Sequence, residues 1–143
     1  MYKNILVAVD LEKDNTSVIN KAVSIAKISN AKINVVYVSQ MVVIDSTIDL
    51  GASVITPGDN ETSHKQLQSI VESIKEQGIE ASGSIKSGLK IDNTVVDDLY
   101  EELNYDLVVC GSNNKTEFSE IFLGSVSAKI ADKAKTDVFI VKS

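Results

Sequence analysis

The sequence predicts an α/β fold, a single doubly wound domain in which helices cover both faces of a parallel sheet. Short β-branched runs alternate with segments of helical periodicity along the whole chain. The 143 residues match the length of one domain, and no internal repeat or linker divides them. Most of the runs are continuously apolar, which is typical of strands buried on both faces of a parallel sheet.

Five segments predict the strands of this sheet, and the third, which alternates only weakly, suits a position near an edge. They cover residues 5–9, 33–38, 79–87, 106–110 and 138–141. Crossovers between parallel strands are right-handed, so each strand returns over a helix. Residues 39–60 contain apolar pieces broken by aspartates, a glycine and the only proline. We predict a long, irregular and partly mobile connection there, which covers a site.

Four segments predict the connecting helices, because their apolar residues recur at helical spacing. Asn30 suits the C-terminal turn of the first helix, and Gly78 is a natural residue after the second. Asp14, Asn15 or Thr16 can cap the first helix. The predicted helices cover residues 15–29, 61–77, 91–103 and 125–134.

Composition narrows the class of protein. Asp plus Glu total 20 against 14 Lys plus Arg, and this formal charge of −6 argues against nucleic acid as the main partner. The single cysteine, Cys110, allows no internal disulfide and reads as a small core residue. No signal-peptide pattern and no apolar stretch long enough to span a bilayer is present, so we expect a soluble, cytoplasmic protein without a membrane partner.

The segment 106–126 holds the strongest functional signal. A buried strand runs into a polar turn at Gly111-Ser112, and Gly124-Ser125 opens the last helix. Backbone N–H groups of such a turn and helix start point at one place and favour a phosphate. Asp10, at the end of the first strand, flanks the same crevice if the first and fourth strands are neighbours.

The chain resembles the universal stress protein family along nearly its whole length. The ordered motifs that carry the resemblance are Lys3-Asn4-Ile5-Leu6-Val7-Ala8-Val9-Asp10, Val36-Tyr37-Val38, Gly111-Ser112, Gly124-Ser125-Val126-Ser127 and Val138-Phe139-Ile140-Val141. This resemblance implies a Rossmann-like, adenine nucleotide alpha hydrolase-like fold with five strands in the order 3-2-1-4-5. It also implies a homodimer made through the last strand.

ATP-binding members carry a glycine, two residues, a second glycine, nine residues, and then glycine with Ser or Thr. Gly111 and Gly124-Ser125 fit this spacing, whereas Asn114 stands at the second glycine. Leu11-Glu12 stands where the family often has Gly-Ser. The resemblance implies that ATP, with Mg²⁺ accompanying it, has Asp10 and the backbone near Val38 around adenine and ribose. It places Gly111, Ser112, Asn114, Gly124, Ser125 and Val126 around the phosphates, and Ala8, Val9 and Cys110 complete the implied cofactor-binding residues.

Three functions compete. The leading one is a nucleotide-binding (ATP) regulatory protein of the stress response. The second is a dimer of the same fold that binds no nucleotide and acts through protein contacts, which Asn114 and Glu12 favour. The third is an enzyme, either a weak ATPase or an adenine-nucleotide hydrolase of related architecture. The sequence argues against it, because it shows no set of nucleophile, base and orienting residue. The only histidine, His64, lies among polar residues and is expected to be exposed.

Overall fold

The computed structural model describes residues 1–45, 52–112 and 125–142. Its main layer is a five-stranded sheet in which every neighbouring pair is parallel, in the order β5-β2-β1-β6-β7. Without β3 and β4, this order is the expected 3-2-1-4-5, which is therefore confirmed. The strands are β1 (Asn4–Val9), β2 (Lys32–Gln40), β3 (Val42–Asp45), β4 (Ala52–Ile55), β5 (Ala81–Gly88), β6 (Leu107–Gly111) and β7 (Asp137–Val141).

The four predicted helices are present, and the third is broken by a π-helical turn at Thr94–Asp98. Left-handed backbone at Asn30 (φ 56°) and Gly78 (φ 83°) follows the first two helices, as their sequence predicts. The Asn60 side chain caps the second helix by accepting a hydrogen bond from the Ser63 N–H. The helices are α1 (Thr16–Ser29), α2 (Glu61–Lys75), α3 (Ile91–Asn93), α4 (Leu99–Leu103) and α5 (Ser125–Lys133).

The sheet separates two apolar cores. On β1, Ile5 and Val7 face one core, whereas Leu6 faces the other, and all three are 0% exposed. The first core is completed by α1 and α2, and the second by Leu99 of α4 and Ile130 of α5. Burial on both faces is the reason why β1 is apolar throughout its length.

The predicted irregular connection over residues 39–60 is wrong in part, because β3 and β4 pair there as an antiparallel hairpin. Val42 lies opposite Ile55 and Val43 opposite Val54. These facing pairs are apolar on both faces of the ribbon, so the sequence lacks the polar alternation that marks a half-buried strand. The side chains of Val43 and Val54 are 54% and 59% exposed. The hairpin therefore lies outside both cores.

Parallel topology places the start of each crossover helix at the carboxyl edge of the sheet. The chain leaves β1 for one face and β6 for the other, so the connections diverge between these neighbouring strands. Such a divergence opens a crevice beyond the strand ends.

Candidate functional site

A cavity of about 1060 Å³ occupies this crevice at the carboxyl edge. Asp10 follows β1, Ser39 lies near the end of β2, and Ser112 follows β6, and all three line the cavity. The starts of α1, α2 and α5 supply further walls. At this size the cavity is as large as the largest typical small-molecule sites, which reach about 1,000 Å³.

The structure brings together every predicted site residue that it describes. Asn114 and Gly124 lie outside the described residues. The predicted residues that line the cavity are Ala8, Val9, Asp10, Val38, Cys110, Gly111, Ser112, Ser125 and Val126.

A hydrogen-bonded loop fixes the position of Asp10. The Asn15 amide accepts from the Asp10 N–H (3.2 Å) and donates to the Asp10 carbonyl (2.8 Å). The Asp10 carboxylate accepts from the Glu12 N–H at 3.1 Å and lies 3.6 Å from the Lys13 ammonium. Asn15 therefore braces the loop, while Asp14 accepts from the Thr16 N–H at the helix start.

The opposite wall is neutral and is held by serine hydrogen bonds. Ser127 of α5 donates from its hydroxyl to the Gly111 carbonyl at 2.5 Å, which ties the helix start to the end of β6. The Ser112 N–H donates to the Val141 carbonyl at 2.9 Å. Burial raises the pKa of the Cys110 thiol, although a hydrogen bond with Ser127 opposes the shift. A buried, protonated thiol fits the predicted core role.

Two buried hydroxyls in the cavity have no hydrogen-bond partner within the described part of the chain. Ser39 is 1% exposed and Ser112 is 8% exposed. Leaving a buried hydroxyl unpaired costs about 1–3 kcal/mol, so such groups are uncommon and call for a reason. The sequence interpretation missed Ser39, although its place at the carboxyl end of β2 is a signal that points to it.

A close backbone approach encloses Ser39. A Cβ atom placed on Gly58 would lie 2.5 Å from the Tyr37 hydroxyl oxygen and 2.7 Å from the Ser39 Oγ. Because real Cβ atoms do not approach other atoms this closely, any side chain at position 58 would displace the Tyr37 and Ser39 side chains. Gly58 and Tyr37, both absent from the predicted site, therefore form a polar corner of the cavity with Ser39.

Charge is unevenly distributed around the cavity. Its described lining contains four carboxylates and a single cationic side chain, that of Lys13, and the carboxylates belong to the loop after β1 and to the start of α2. The pKa of Tyr37 is raised, first by burial and then by the negative charges of Asp10 and Glu12. The carboxylates that line the cavity are Asp10, Glu12, Asp14 and Glu61.

The described residues give little support for a metal site, a catalytic histidine or a membrane-spanning helix. No group of three or more His, Cys, Asp or Glu side chains there is arranged to hold a metal ion. His64, with its side chain 60% exposed as expected, places Nε2 2.7 Å from an Asp59 carboxylate oxygen. None of the helices in residues 1–45, 52–112 and 125–142 has the length and hydropathy of a membrane span.

Comparisons with known proteins agree with this architecture. A putative universal stress protein of Staphylococcus haemolyticus is 29% identical over 146 aligned positions, covering 99% of this chain and 86% of the relative. The universal stress protein UspA from Lactobacillus plantarum superposes with a TM-score of 0.79 at 20% identity, covering 98% of this chain and 97% of that one.

Two further solved structures contain nucleotides. A universal stress protein in complex with cAMP superposes with a TM-score of 0.69 at 24% identity, over 99% of this chain and 97% of that one. A universal stress protein family protein from Arabidopsis thaliana with AMP bound superposes with a TM-score of 0.68 at 20% identity, covering 98% of this chain and 91% of that one. The model of the Universal stress protein family matches residues 1–142. Because this match spans nearly the whole sequence, the chain belongs to the universal stress protein family.

Proposed function

We propose that this protein binds an adenine nucleotide in the cavity at the carboxyl edge and acts as a nucleotide-dependent regulatory protein of the stress response. The observation that carries the proposal is the pair of buried, unpaired hydroxyls of Ser39 and Ser112 within one cavity. A bound ligand that hydrogen-bonds to both would offset their desolvation cost. The complexes of related proteins with cAMP and AMP support the choice of nucleotide.

The two walls suit the two parts of a nucleotide. Apolar Ala8 and Val38 provide a surface for the base, and the Asp10 carboxylate can accept a hydrogen bond from a ribose hydroxyl. On the neutral wall, Ser112 and the start of α5 at Ser125 offer hydroxyls and backbone N–H groups to a phosphate. ATP, with Mg²⁺ accompanying it, is the ligand that the family resemblance implies.

A homodimer through β7 is part of the proposal. This strand is the outermost of the sheet in the described residues and pairs only with β6 there. Phe139 on β7 is 39% exposed. An open strand edge that carries an aromatic side chain is suited to pairing with a second copy.

The direct test is to denature the purified protein, analyse the supernatant for adenine nucleotide by chromatography, and titrate AMP and ATP into the nucleotide-free protein by calorimetry. Ser112→Ala should weaken the affinity for the bound nucleotide about 5-fold to 10-fold, because it removes a proposed ligand contact. Ser29→Ala is the matched control, since its hydroxyl is also buried and unpaired among the described residues but does not line the cavity. No released nucleotide and no heat at millimolar concentrations would reject the proposal.

The second candidate is a dimer that acts through protein contacts without a nucleotide. The four carboxylates around the cavity favour it, since they oppose the binding of any anion. It predicts a stable dimer in ultracentrifugation with no response to AMP or ATP. A nucleotide affinity that falls in Ser112→Ala but not in Ser29→Ala would exclude it.

A further inference from the structure

We propose that the cavity selects adenine nucleotides by charge, binding those with one phosphate, linear or cyclic, more tightly than free ATP, and that Glu12 and Glu61 enforce this selection. The inference rests on the proposed nucleotide binding and specifies which members of that ligand class are bound. The charges that carry this inference are those of the cavity-lining residues that the structure describes.

The charges of Glu12 and Glu61 are poorly compensated within the described lining of the cavity. Lys13 is the only lysine or arginine among the described lining residues, and its ammonium is already 3.6 Å from the Asp10 carboxylate. No ion-pair partner for Glu12 occurs in the described residues. Glu61 pairs with Lys65 at 3.4 Å, but both side chains are more than three-quarters exposed (84% and 76%), and such a pair is largely screened.

The sequence of residues 113–124 adds no net positive charge. Residues 113–124 contain one lysine, Lys115, against two glutamates, Glu117 and Glu120. The protein as a whole carries a formal charge of −6. Each further phosphate on a ligand therefore adds repulsion without adding a matched cation.

The groups that remain to bind a phosphate are neutral. Ser39 and Ser112 lie at the carboxyl ends of β2 and β6, which flank β1, so two strand spacings of about 5 Å each separate the two strand ends. One nucleoside phosphate can bridge such a span, with its sugar or base near Ser39 and its phosphate near Ser112. Hydroxyl and backbone N–H donors can hold one phosphate without formal countercharge.

The test is a calorimetric series of cAMP, AMP, ADP and ATP in EDTA at low salt, since their charges run from about −1 to about −4. We expect cAMP and AMP to bind at least about 10-fold more tightly than ATP, with ADP between AMP and ATP. At 0.5 M salt this ratio should shrink, because exposed charges are screened over a few ångströms. Added Mg²⁺ should improve ATP binding and leave cAMP binding unchanged.

Glu12→Gln and Glu61→Gln should each raise ATP affinity about 2-fold to 5-fold while changing cAMP affinity by less than about 2-fold. Glu76→Gln is the control with the same change of charge, because Glu76 is exposed and does not line the cavity. The ratio of its ATP affinity to its cAMP affinity should match that of the wild type.

Two results would overturn the inference, and they are distinguishable. If ATP binds as tightly as AMP in EDTA and neither glutamine variant alters the ratio, nucleotide binding stands but charge selection fails. If none of the four nucleotides binds at any salt concentration, the proposed function fails together with the selection.

Discussion

The two ends of the sheet use their polar side chains in opposite ways. At the amino edge, Asn34 donates to the Asn4 side chain (2.5 Å), Ser82 donates to Asn34 (2.8 Å), and Asn4 donates to the Leu103 carbonyl (2.6 Å). At the carboxyl edge, Ser39 and Ser112 are buried without a partner in the described residues. The polar side chains named at the amino edge hold the fold, whereas under the proposed function Ser39 and Ser112 at the carboxyl edge contact a ligand.

The start of the chain strengthens the amino edge further. The Asp106 carboxylate accepts from the Lys3 N–H (2.8 Å) and the Asn4 N–H (3.0 Å), and the Tyr2 hydroxyl donates to Asp137 (2.7 Å). That hydrogen bond is the main cause of a raised pKa of Tyr2. Because these bonds join residues 2–4 to the residue before β6 and to the first residue of β7, they stabilise the sheet without contributing to the cavity.

The largest effect is expected from Asp106→Ala at the amino edge. Loss of two charged hydrogen bonds should lower the free energy of unfolding by about 2–3 kcal/mol. Urea unfolding followed by circular dichroism measures this loss, and nucleotide affinity should stay within 2-fold of wild type. Asp98→Ala, which removes an exposed carboxylate, is the control and should change stability by less than about 0.5 kcal/mol. A large loss of nucleotide affinity in folded Asp106→Ala would contradict the prediction that the amino edge contributes to stability and not to ligand binding.

Gly58→Ala tests the carboxyl edge. The new methyl group would meet the Tyr37 and Ser39 oxygens at 2.5 and 2.7 Å, and their displacement should cost about 1–2 kcal/mol of stability. Nucleotide affinity should fall about 10-fold, because the displaced side chains line the cavity. Gly78→Ala is the control, since nothing lies within 4 Å of its Cβ position and only its positive φ (+83°) is strained. It should lose similar stability with unchanged affinity; a matching loss of affinity in both variants would contradict the prediction.

Features set by neighbouring residues in the sequence were predictable, whereas features set by contacts between residues distant in the chain were not. The strands of the main sheet were predictable because burial on both faces leaves a local, continuous apolar run, as in residues 5–9. Their order came from the family resemblance. The β3–β4 hairpin was not predicted, because its pairing joins residues separated in the chain and its exposed faces lack alternation.

The residues of the cavity were likewise predictable only where a local sequence pattern marks them. Asp10, Gly111 and Ser112 were predicted because each directly ends or follows a recognisable strand. Ser39 was missed although it lies at the carboxyl end of β2, and the role of Gly58 arises only when the segment after the hairpin packs against that strand end. The distances in that corner are tertiary facts, and no local pattern encodes them.

Asp92 provides a smaller test near the cavity, because Lys133 of α5 donates to its carboxylate at 3.1 Å and so links α3 to α5. Burial acts to raise the pKa of Asp92, but hydrogen bonds from Lys133 and the backbone outweigh it, and the net pKa is lowered. A lowered pKa contributes stability that is present above the unfolded value of about 3.9 and is lost as pH falls through the folded value.

Asp92→Asn should therefore lower the free energy of unfolding by about 1 kcal/mol at pH 7, and the difference from wild type should begin to shrink near pH 4 and be lost as pH falls through the lowered pKa of Asp92. Thermal unfolding across the pH range measures it. Asp97→Asn is the control, since its pair with Lys135 is longer (3.7 Å) and about half exposed (51% and 59%). A difference from wild type that persists unchanged at pH 3 would show that the charge of Asp92 is not its source.

The smallest effect on stability, and the most direct comparison of the two edges, comes from a pair of serine variants. Ser39→Ala removes a buried, unpaired hydroxyl, so stability should stay constant or rise by up to about 1 kcal/mol while nucleotide affinity falls about 3-fold to 10-fold. Ser82→Ala removes a hydroxyl that donates to Asn34, so stability should fall by about 0.5 kcal/mol and affinity should not change. Denaturant unfolding measures the change in stability of each variant, and calorimetry measures the change in its nucleotide affinity. If Ser39→Ala instead destabilises the nucleotide-free protein without altering affinity, its hydroxyl serves the fold, and the two edges do not differ in the way proposed.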